Sequence, residues 1–92
     1  MSIMQEENNM KFTPALSRYY LARNRCTRPL SGKRASKLAG AMRDGNFNAD
    51  VTFIDIDTTD HMVGGQHVLS AIADTGMIFD LQVRKPEVND VK

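Results

Sequence analysis

The stretch MVGGQHVLSAIADTG, residues 62–76, decides the fold of this 92-residue chain. Its apolar residues repeat at helical spacing, and Gly76 stands where a helix commonly ends. The glycine pair before that helix lets backbone N–H groups converge, and the start of a helix carries the positive end of its dipole. From these residues alone, the pair indicates either an anion-binding site or a turn before a core helix. The predicted core-facing side of the helix consists of Val68, Leu69, Ile72 and Ala73.

The segments on either side of this stretch predict strands. VTFIDI (residues 51–56) is rich in β-branched and apolar residues, which is typical of a strand covered on much of both faces. DTTD (57–60) predicts a turn, and HMV (61–63) predicts a short return strand. MIFDLQVRK (77–85) alternates apolar and polar residues, so it predicts the closing strand.

Two helices are predicted ahead of these strands. Thr13 and Pro14 mark the start of the first helix as an N-cap and a first-turn proline. Ser31 is the predicted N-cap of the second helix, Gly45 is its predicted stop, and Gly40 within it is expected to permit close packing. In the first helix, the predicted apolar face consists of Ala15, Tyr19, Ala22 and Cys26, and Leu16 and Tyr20 widen it at the edge. In the second helix, the predicted apolar face consists of Ala35, Leu38, Ala39 and Met42.

The element order is therefore α-α-β-β-α-β, which predicts an α+β fold, a single small domain with a mixed sheet and packed helices. Residues 12–86 are assigned to the domain, residues 1–11 to a flexible leader and residues 87–92 to a flexible tail. The chain has neither an apolar run near the ~20 residues that a membrane span needs nor a secretory signal. We therefore expect no membrane contact and a cytoplasmic location, which the single cysteine, Cys26, also fits.

Charge is unevenly distributed along the chain, although the net charge is only +1. From residue 44 onward there are nine acids and three bases, whereas residues 18–43 contain bases and no acid. This asymmetry predicts a basic interaction surface, or alternatively a set of cations that meet their acids in the folded protein. The basic residues are Arg18, Arg23, Arg25, Arg28, Lys33, Arg34, Lys37 and Arg43.

Several short motifs give the chain a resemblance to a known family. They are RPLS (28–31), AMRDG (41–45), FIDID (53–57), GGQHVLSAI (64–72), TG (75–76) and LQVRK (81–85). In this order and spacing, the chain from Thr13 to Lys85 resembles the ParB-like and sulfiredoxin-like domains, and most closely their short phage and mobile-element forms. The resemblance implies the mixed sheet with packed helices. It also implies a residual phosphate-binding motif made of Gly64, Gly65, Gln66 and His67.

This motif departs from the family pattern in three positions. Gln66 stands where sulfiredoxins carry their reactive cysteine, and Gly64 stands where the mobile-element forms carry an aspartate. Val68 replaces an arginine that would meet phosphate oxygens, a loss of roughly 1.5 to 3 kcal/mol. The motif is therefore expected to be degenerate, with no catalytic residue and no cofactor. His67 is expected either to contact an anion or act as a base, or to be a partly buried ring bonded to a backbone carbonyl.

Other candidate sites are weaker in the sequence. DIDTTDH (55–61) holds three carboxylates and a histidine, but it lacks the glycine and glutamate of a calcium loop, so no metal is expected. His61 is expected to pair with Asp57 or Asp60. Cys26 lies between Arg25 and Arg28, which would lower its pKa, yet a packing role is favoured.

Size and resemblance together predict a small non-enzymatic phage-type binding protein. We expect it to inhibit host nucleic-acid-handling or defence machinery, as anti-CRISPR proteins do, by docking on a host or phage protein in the cytoplasm of an infected bacterium. Two alternatives stay open. One is a residual nucleotide- or phosphate-binding enzyme or nuclease of the ParB-like class. The other is a non-specific nucleic-acid-binding module that uses the basic residues.

Overall fold

The computed structural model describes residues 8–26 and 28–85, which form four strands, three α-helices and a short 3-10 helix. The six elements predicted from the sequence occur in the predicted α-α-β-β-α-β order, preceded by one further strand. The predicted tail, residues 87–92, lies outside the described residues. The elements are β1 (Asn8–Phe12), α1 (Pro14–Leu21), α2 (Gly32–Asp44), the 3-10 helix (Ala49–Val51), β2 (Phe53–Ile56), β3 (Met62–Gly64), α3 (Gln66–Thr75) and β4 (Phe79–Arg84).

The strands form one mixed sheet in the order β1-β4-β2-β3. β4 pairs antiparallel with β1 and parallel with β2, while β2 and β3 form an antiparallel hairpin. The hairpin register shifts between Asp55 and Ile56. A parallel pair needs a crossover connection, and α3 supplies it between the hairpin and β4. The α+β fold with a mixed sheet is thus confirmed.

Strand β1 corrects the prediction of a flexible leader over residues 1–11. Its backbone pairs with β4 from Asn8 opposite Val83 to Phe12 opposite Phe79. The segment is mostly polar in sequence because an edge strand needs only one apolar face, and here Met10 and Phe12 supply it. Phe12 is fully buried in the core. Residues 1–7 of the predicted leader lie outside the described residues.

The core lies between the three helices and one face of the sheet. Helices α1 and α2 each pack against α3. The buried apolar residues form a single cluster, and the strands contribute alternate residues to it. They are Phe12, Tyr20, Ala39, Met42, Ile54, Ile56, Met62, Leu69, Ala71, Ile72, Leu81 and Val83. No helix within the described residues is long and apolar enough to cross a membrane.

The opposite face of the sheet is open, so the prediction that β2 is covered on both faces is wrong. Phe53 and Asp55 of β2 are only half-buried there. Arg84 lies over the Phe53 ring, 4.4 Å from its centroid, and its Nε and Nη2 donate to the Asp55 carboxylate at 2.9 and 3.2 Å. An arginine side chain on this face therefore covers the aromatic ring that the sequence suggested was in the core.

Helix α1 begins as predicted but buries a different face. Thr13 caps it, accepting from the Leu16 N–H at 3.1 Å, while Ala15 and Tyr19 of the predicted face are exposed. The buried residues are Ser17 and Tyr20. The pattern missed this face because a serine counts as polar, and because Tyr20 packs against Phe12, which lay outside every predicted helix and strand. Ala22 of the predicted face is also exposed. Leu16 and Leu21 pack against the core. Cys26 is partly buried and lies beyond the end of the helix.

Helix α2 agrees closely with its prediction. Ser31 accepts from the Arg34 N–H as its N-cap, and Gly45 ends it in the left-handed conformation at φ 78°. The predicted face of Ala35, Leu38, Ala39 and Met42 is buried or packed on the core. Gly40 was predicted to permit close packing, and this prediction is wrong, because a Cβ on Gly40 would meet no atom within 4 Å. In α3, Leu69 and Ile72 are buried as predicted and Val68 and Ala73 are half-buried.

Candidate phosphate-binding site

The two glycines of the motif are required by their neighbours in the fold. Gly64 lies opposite Asp55 in the hairpin, and a Cβ on Gly64 would stand 2.6 Å from the Asp55 Oδ2. Gly65 caps α3 at φ 100°, where a Cβ would stand 2.6 Å from the Ile54 Cδ1. Larger residues would clash in both positions, and in the second the backbone conformation would also be strained. Steric need therefore accounts for the glycine pair without a ligand.

Gln66 is a buried structural link rather than an open ligand contact. Its side chain is 5% exposed. The Oε1 atom accepts from the Asn24 Nδ2 at 2.7 Å, and the Nε2 donates to the Arg28 carbonyl at 2.9 Å. These bonds fasten the segment between α1 and α2 to the start of α3. Both polar ends of this buried amide are therefore satisfied by protein groups.

His67 contacts the N-cap of α2. Its Nε2 lies 2.9 Å from the Ser31 backbone N–H and accepts from it. The hydrogen bond assigns the neutral ring the tautomer with its proton on Nδ1. The predicted partner, a backbone carbonyl, is therefore wrong, since the partner is a backbone amide. This contact places the start of α2 beside the start of α3, although Ser31 and His67 are 36 residues apart.

A pocket of about 240 Å³ opens at the start of α3. Arg28 and Arg34, both exposed, are among the residues that line it. The helix start adds the positive end of its dipole, so the pocket is electropositive. Its lining residues are Cys26, Arg28, Arg34, Val63, Gly64, Gly65, Gln66 and His67. All four predicted motif residues therefore line one pocket. The sequence placed the two arginines only in a general basic surface, because local spacing does not link them to a motif that begins 30 or more residues away.

Cys26 lines the same pocket, but the pKa of its thiol is raised, whereas the sequence predicted a lowered pKa. Burial raises the pKa of its thiol, outweighing the Gln66 backbone N–H, which acts in the opposite direction. Arg25, expected to lower this pKa, instead lies 3.9 Å from the Asp57 carboxylate. The thiol packs against the core, which confirms the packing role.

The eight predicted basic residues divide into two groups. Three meet acids: Arg23 with Asp60 at 3.9 Å, Arg25 with Asp57 at 3.9 Å and Arg43 with Asp74 at 3.6 Å. Arg18, Arg28, Lys33, Arg34 and Lys37 are exposed and form no ion pair within the described residues. Of these, Arg28, Lys33, Arg34 and Lys37 occur together around the start of α2, and we call these four the basic corner. Neutralisation by acids therefore explains only part of the charge asymmetry.

The carboxylates of residues 55–61 are satisfied by protein groups. Asp57 accepts from the Thr59 N–H, the Thr59 hydroxyl and the His61 N–H at 2.7 to 3.0 Å. The His61 and Thr59 bonds lower the Asp57 pKa to about 2. Of the two acids predicted to pair with His61, Asp57 is the one in reach, with its Oδ1 4.0 Å from the His61 Nδ1. The hydrogen-bond partner of that Nδ1 is the Thr59 hydroxyl, at 2.9 Å. Asp60 accepts from the Tyr19 and Tyr20 hydroxyls, both at 2.7 Å. Within the described part of the chain, no three His, Cys, Asp or Glu residues are grouped as metal ligands.

Comparison of the chain with protein-family models, with curated proteins and with solved structures finds no match. The functional assignment accordingly rests on the side chains of the pocket and of the basic corner.

Proposed function

We propose that the chain is a small non-enzymatic binding protein that holds a phosphate group of its ligand in the pocket at the start of α3. The observation that carries this proposal is the position of Arg28 and Arg34, which are exposed, line the pocket and form no ion pair among the described residues. A guanidinium group binds phosphate through two parallel hydrogen bonds, and a helix start favours an anion. The two arginines thus replace the donor that is lost at Val68.

Binding is favoured over catalysis because the side chains that could act chemically are already engaged. The amide of Gln66 is bonded at both ends. The Nε2 of His67 accepts from Ser31 and so cannot also serve as a base. The raised pKa of Cys26 disfavours the thiolate that a nucleophile requires. These contacts support a role in which the pocket recognises a phosphate and leaves it unchanged.

Calorimetric titration with pyrophosphate and nucleoside triphosphates, with and without Mg²⁺, tests the proposal. We expect Arg28→Gln and Arg34→Gln each to weaken binding by about ten- to a hundredfold, since each removes a charged hydrogen-bond donor. Arg43→Gln is the matched control, because Arg43 lies on the same helix as Arg34 and pairs with Asp74.

Three results would contradict the proposal. They are the absence of heat at millimolar ligand, an equal loss of affinity in the Arg43→Gln control, and release of phosphate from the triphosphate. The last result would favour the alternative enzyme of the ParB-like class.

A second candidate is docking on a host or phage protein, as an inhibitor of nucleic-acid-handling or defence machinery of the anti-CRISPR type. Leu30 favours it, because this apolar side chain is 47% exposed within the loop that carries Arg28. The buried core of a protein interface is more apolar than the remaining surface and is enriched in arginine, so Leu30 beside Arg28 suits a docking contact. In this proposal the protein acts in the cytoplasm of an infected bacterial host.

Capture of partners from a bacterial lysate tests the docking candidate. Leu30→Asp should abolish the complex, whereas Val51→Asp, at a residue 67% exposed outside the basic corner, should preserve it. A complex that survives Leu30→Asp, or the absence of any complex, would exclude docking through this loop.

A further inference from the structure

A shallow groove of about 660 Å³ runs along the exposed side of α2. It is lined by Ser31, Lys33, Arg34, Ser36 and Lys37. Arg34 also lines the pocket at the start of α3, so the groove and the pocket meet at this side chain. Together they form one continuous positive surface rather than two separate sites.

The groove presents cations at a regular spacing. Lys33 and Lys37 are four residues apart on α2, which places them on the same side of the helix, about 6 Å apart along its axis. Neither forms an ion pair within residues 8–26 and 28–85, and residues 18–43 contain no acid. Ser31 and Ser36, which line the same groove, add neutral hydrogen-bonding hydroxyls beside these charges. The arrangement suits a linear ligand with repeated negative groups.

We propose that the ligand is a nucleic acid, with one phosphate in the pocket and the neighbouring phosphates of its backbone along the α2 groove. This inference rests on the proposed function and extends it from a single phosphate to a polymer. A free nucleotide would use the pocket but would leave Lys33 and Lys37 without a role. The residues that line the two sites include no aromatic ring on which a base could stack. Recognition therefore depends on the backbone, and binding is independent of base sequence.

Fluorescence anisotropy of a labelled DNA duplex, measured with the full chain over a range of salt concentrations, tests this inference. If the four cations of the basic corner each neutralise one phosphate, the logarithm of affinity falls with the logarithm of salt at a slope of about −3.6. Lys33→Gln with Lys37→Gln should flatten the slope to about −1.8 and weaken binding by about tenfold at moderate salt. The same variant should keep the wild-type affinity for pyrophosphate, since neither lysine lines the pocket.

The control is Arg18→Gln with Arg43→Gln, which removes the same charge from outside the groove and should keep the wild-type slope. Circular dichroism and thermal unfolding of each variant establish that it is folded. The inference is overturned if the lysine variant binds DNA like the wild type, or if the control flattens the slope equally. It is also overturned if polyglutamate competes as well as DNA, because the surface would then suit an acidic protein. Pyrophosphate binding without DNA binding removes this inference alone, whereas the absence of both removes the proposed function as well.

Discussion

At the scale of single residues, Gly65 shows how a motif that suggests a ligand can be required by the fold. The residue has φ 100°, and its Cα faces the side chain of Ile54, which is fully buried. It also caps α3, and Gly65 itself and the first two residues of that helix, Gln66 and His67, line the pocket. The same glycine therefore sets both the packing of β2 against α3 and the geometry of the candidate phosphate site.

Gly65→Ala should lower the free energy of unfolding by about 2 kcal/mol or more. A left-handed conformation costs a non-glycine residue roughly 1 to 2 kcal/mol, and the added methyl group would also clash with Ile54. Urea denaturation measures the loss. Gly40→Ala is the matched control, because the space around Gly40 is open within a helix, and it should raise stability by up to about 1 kcal/mol. An unchanged stability in Gly65→Ala would contradict this account of the glycine pair.

At the scale of elements, the turn between β2 and β3 anchors the end of α1. Asp60 adopts φ 65°, which is uncommon for a residue other than glycine. Its carboxylate accepts from the hydroxyls of Tyr19 and Tyr20, and its carbonyl accepts from the Arg23 Nε at 2.9 Å. These three bonds offset the backbone strain and hold the turn against the helix. Burial and the bond to Asp60 raise the pKa of Tyr20 to about 12, so its hydroxyl stays protonated and donating.

Stability should depend on acid pH through Asp57 in the same turn. Its pKa in the folded protein, about 2, is lower than the ordinary value of 3.8. The ionised form is therefore favoured by folding, so its contribution is present above pH 3.8 and is lost as the pH falls through about 2. Thermal unfolding across this range should show a smaller decline for Asp57→Asn than for the wild type.

The exposed Asp44, which ends α2, provides the control for this pH dependence, and Asp44→Asn should retain the decline of the wild type. If Asp57→Asn instead declines as steeply as the wild type, the carboxylate of Asp57 is not the group responsible.

At the scale of the whole molecule, the sheet has one face in the core and one open face. Strand β1 contributes side chains to the face in the core. Phe12 is fully buried and its ring centroid lies 6.4 Å from that of Tyr20. Strand β1 thereby joins the edge of the sheet to helix α1. A segment that reads as a polar leader is in this way part of the core.

Phe12→Ala should lower the free energy of unfolding by about 3 to 5 kcal/mol, the usual loss for a buried phenylalanine. Small domains have a total stability of about 5 to 15 kcal/mol, so this loss is a large fraction of the total. Phe53→Ala is the control, because Phe53 is half-buried on the open face under Arg84, and it should cost less. Urea denaturation compares the two variants. Equal losses would contradict the assignment of the core to one face of the sheet.

The amino-acid sequence by itself determined the elements that local chemistry specifies. The caps at Thr13 and Ser31, the left-handed stops at Gly45 and Gly76 and the alternation in β4 all depend on residues within a few positions of one another. These signals were sufficient for the order of the six elements that follow β1, and that order was sufficient for an α+β fold with a mixed sheet. The buried face of α2 was also predictable, because its apolar residues follow one helical side.

Only the tertiary structure decided which partners those elements meet. Pairing with β4 makes a strand of residues 8–12, although residues 8–11 were predicted to belong to a flexible leader. On the open face of β2, Arg84 lies over the ring of Phe53. The bond between Ser31 and His67 joins the start of α2 to the start of α3, and Arg28 and Arg34 line one pocket with the glycine motif. The sequence could assign these residues only to separate groups. The physical reason is that capping and helical periodicity act over a few residues, whereas burial and charge pairing depend on segments that folding brings together from more than 30 residues apart.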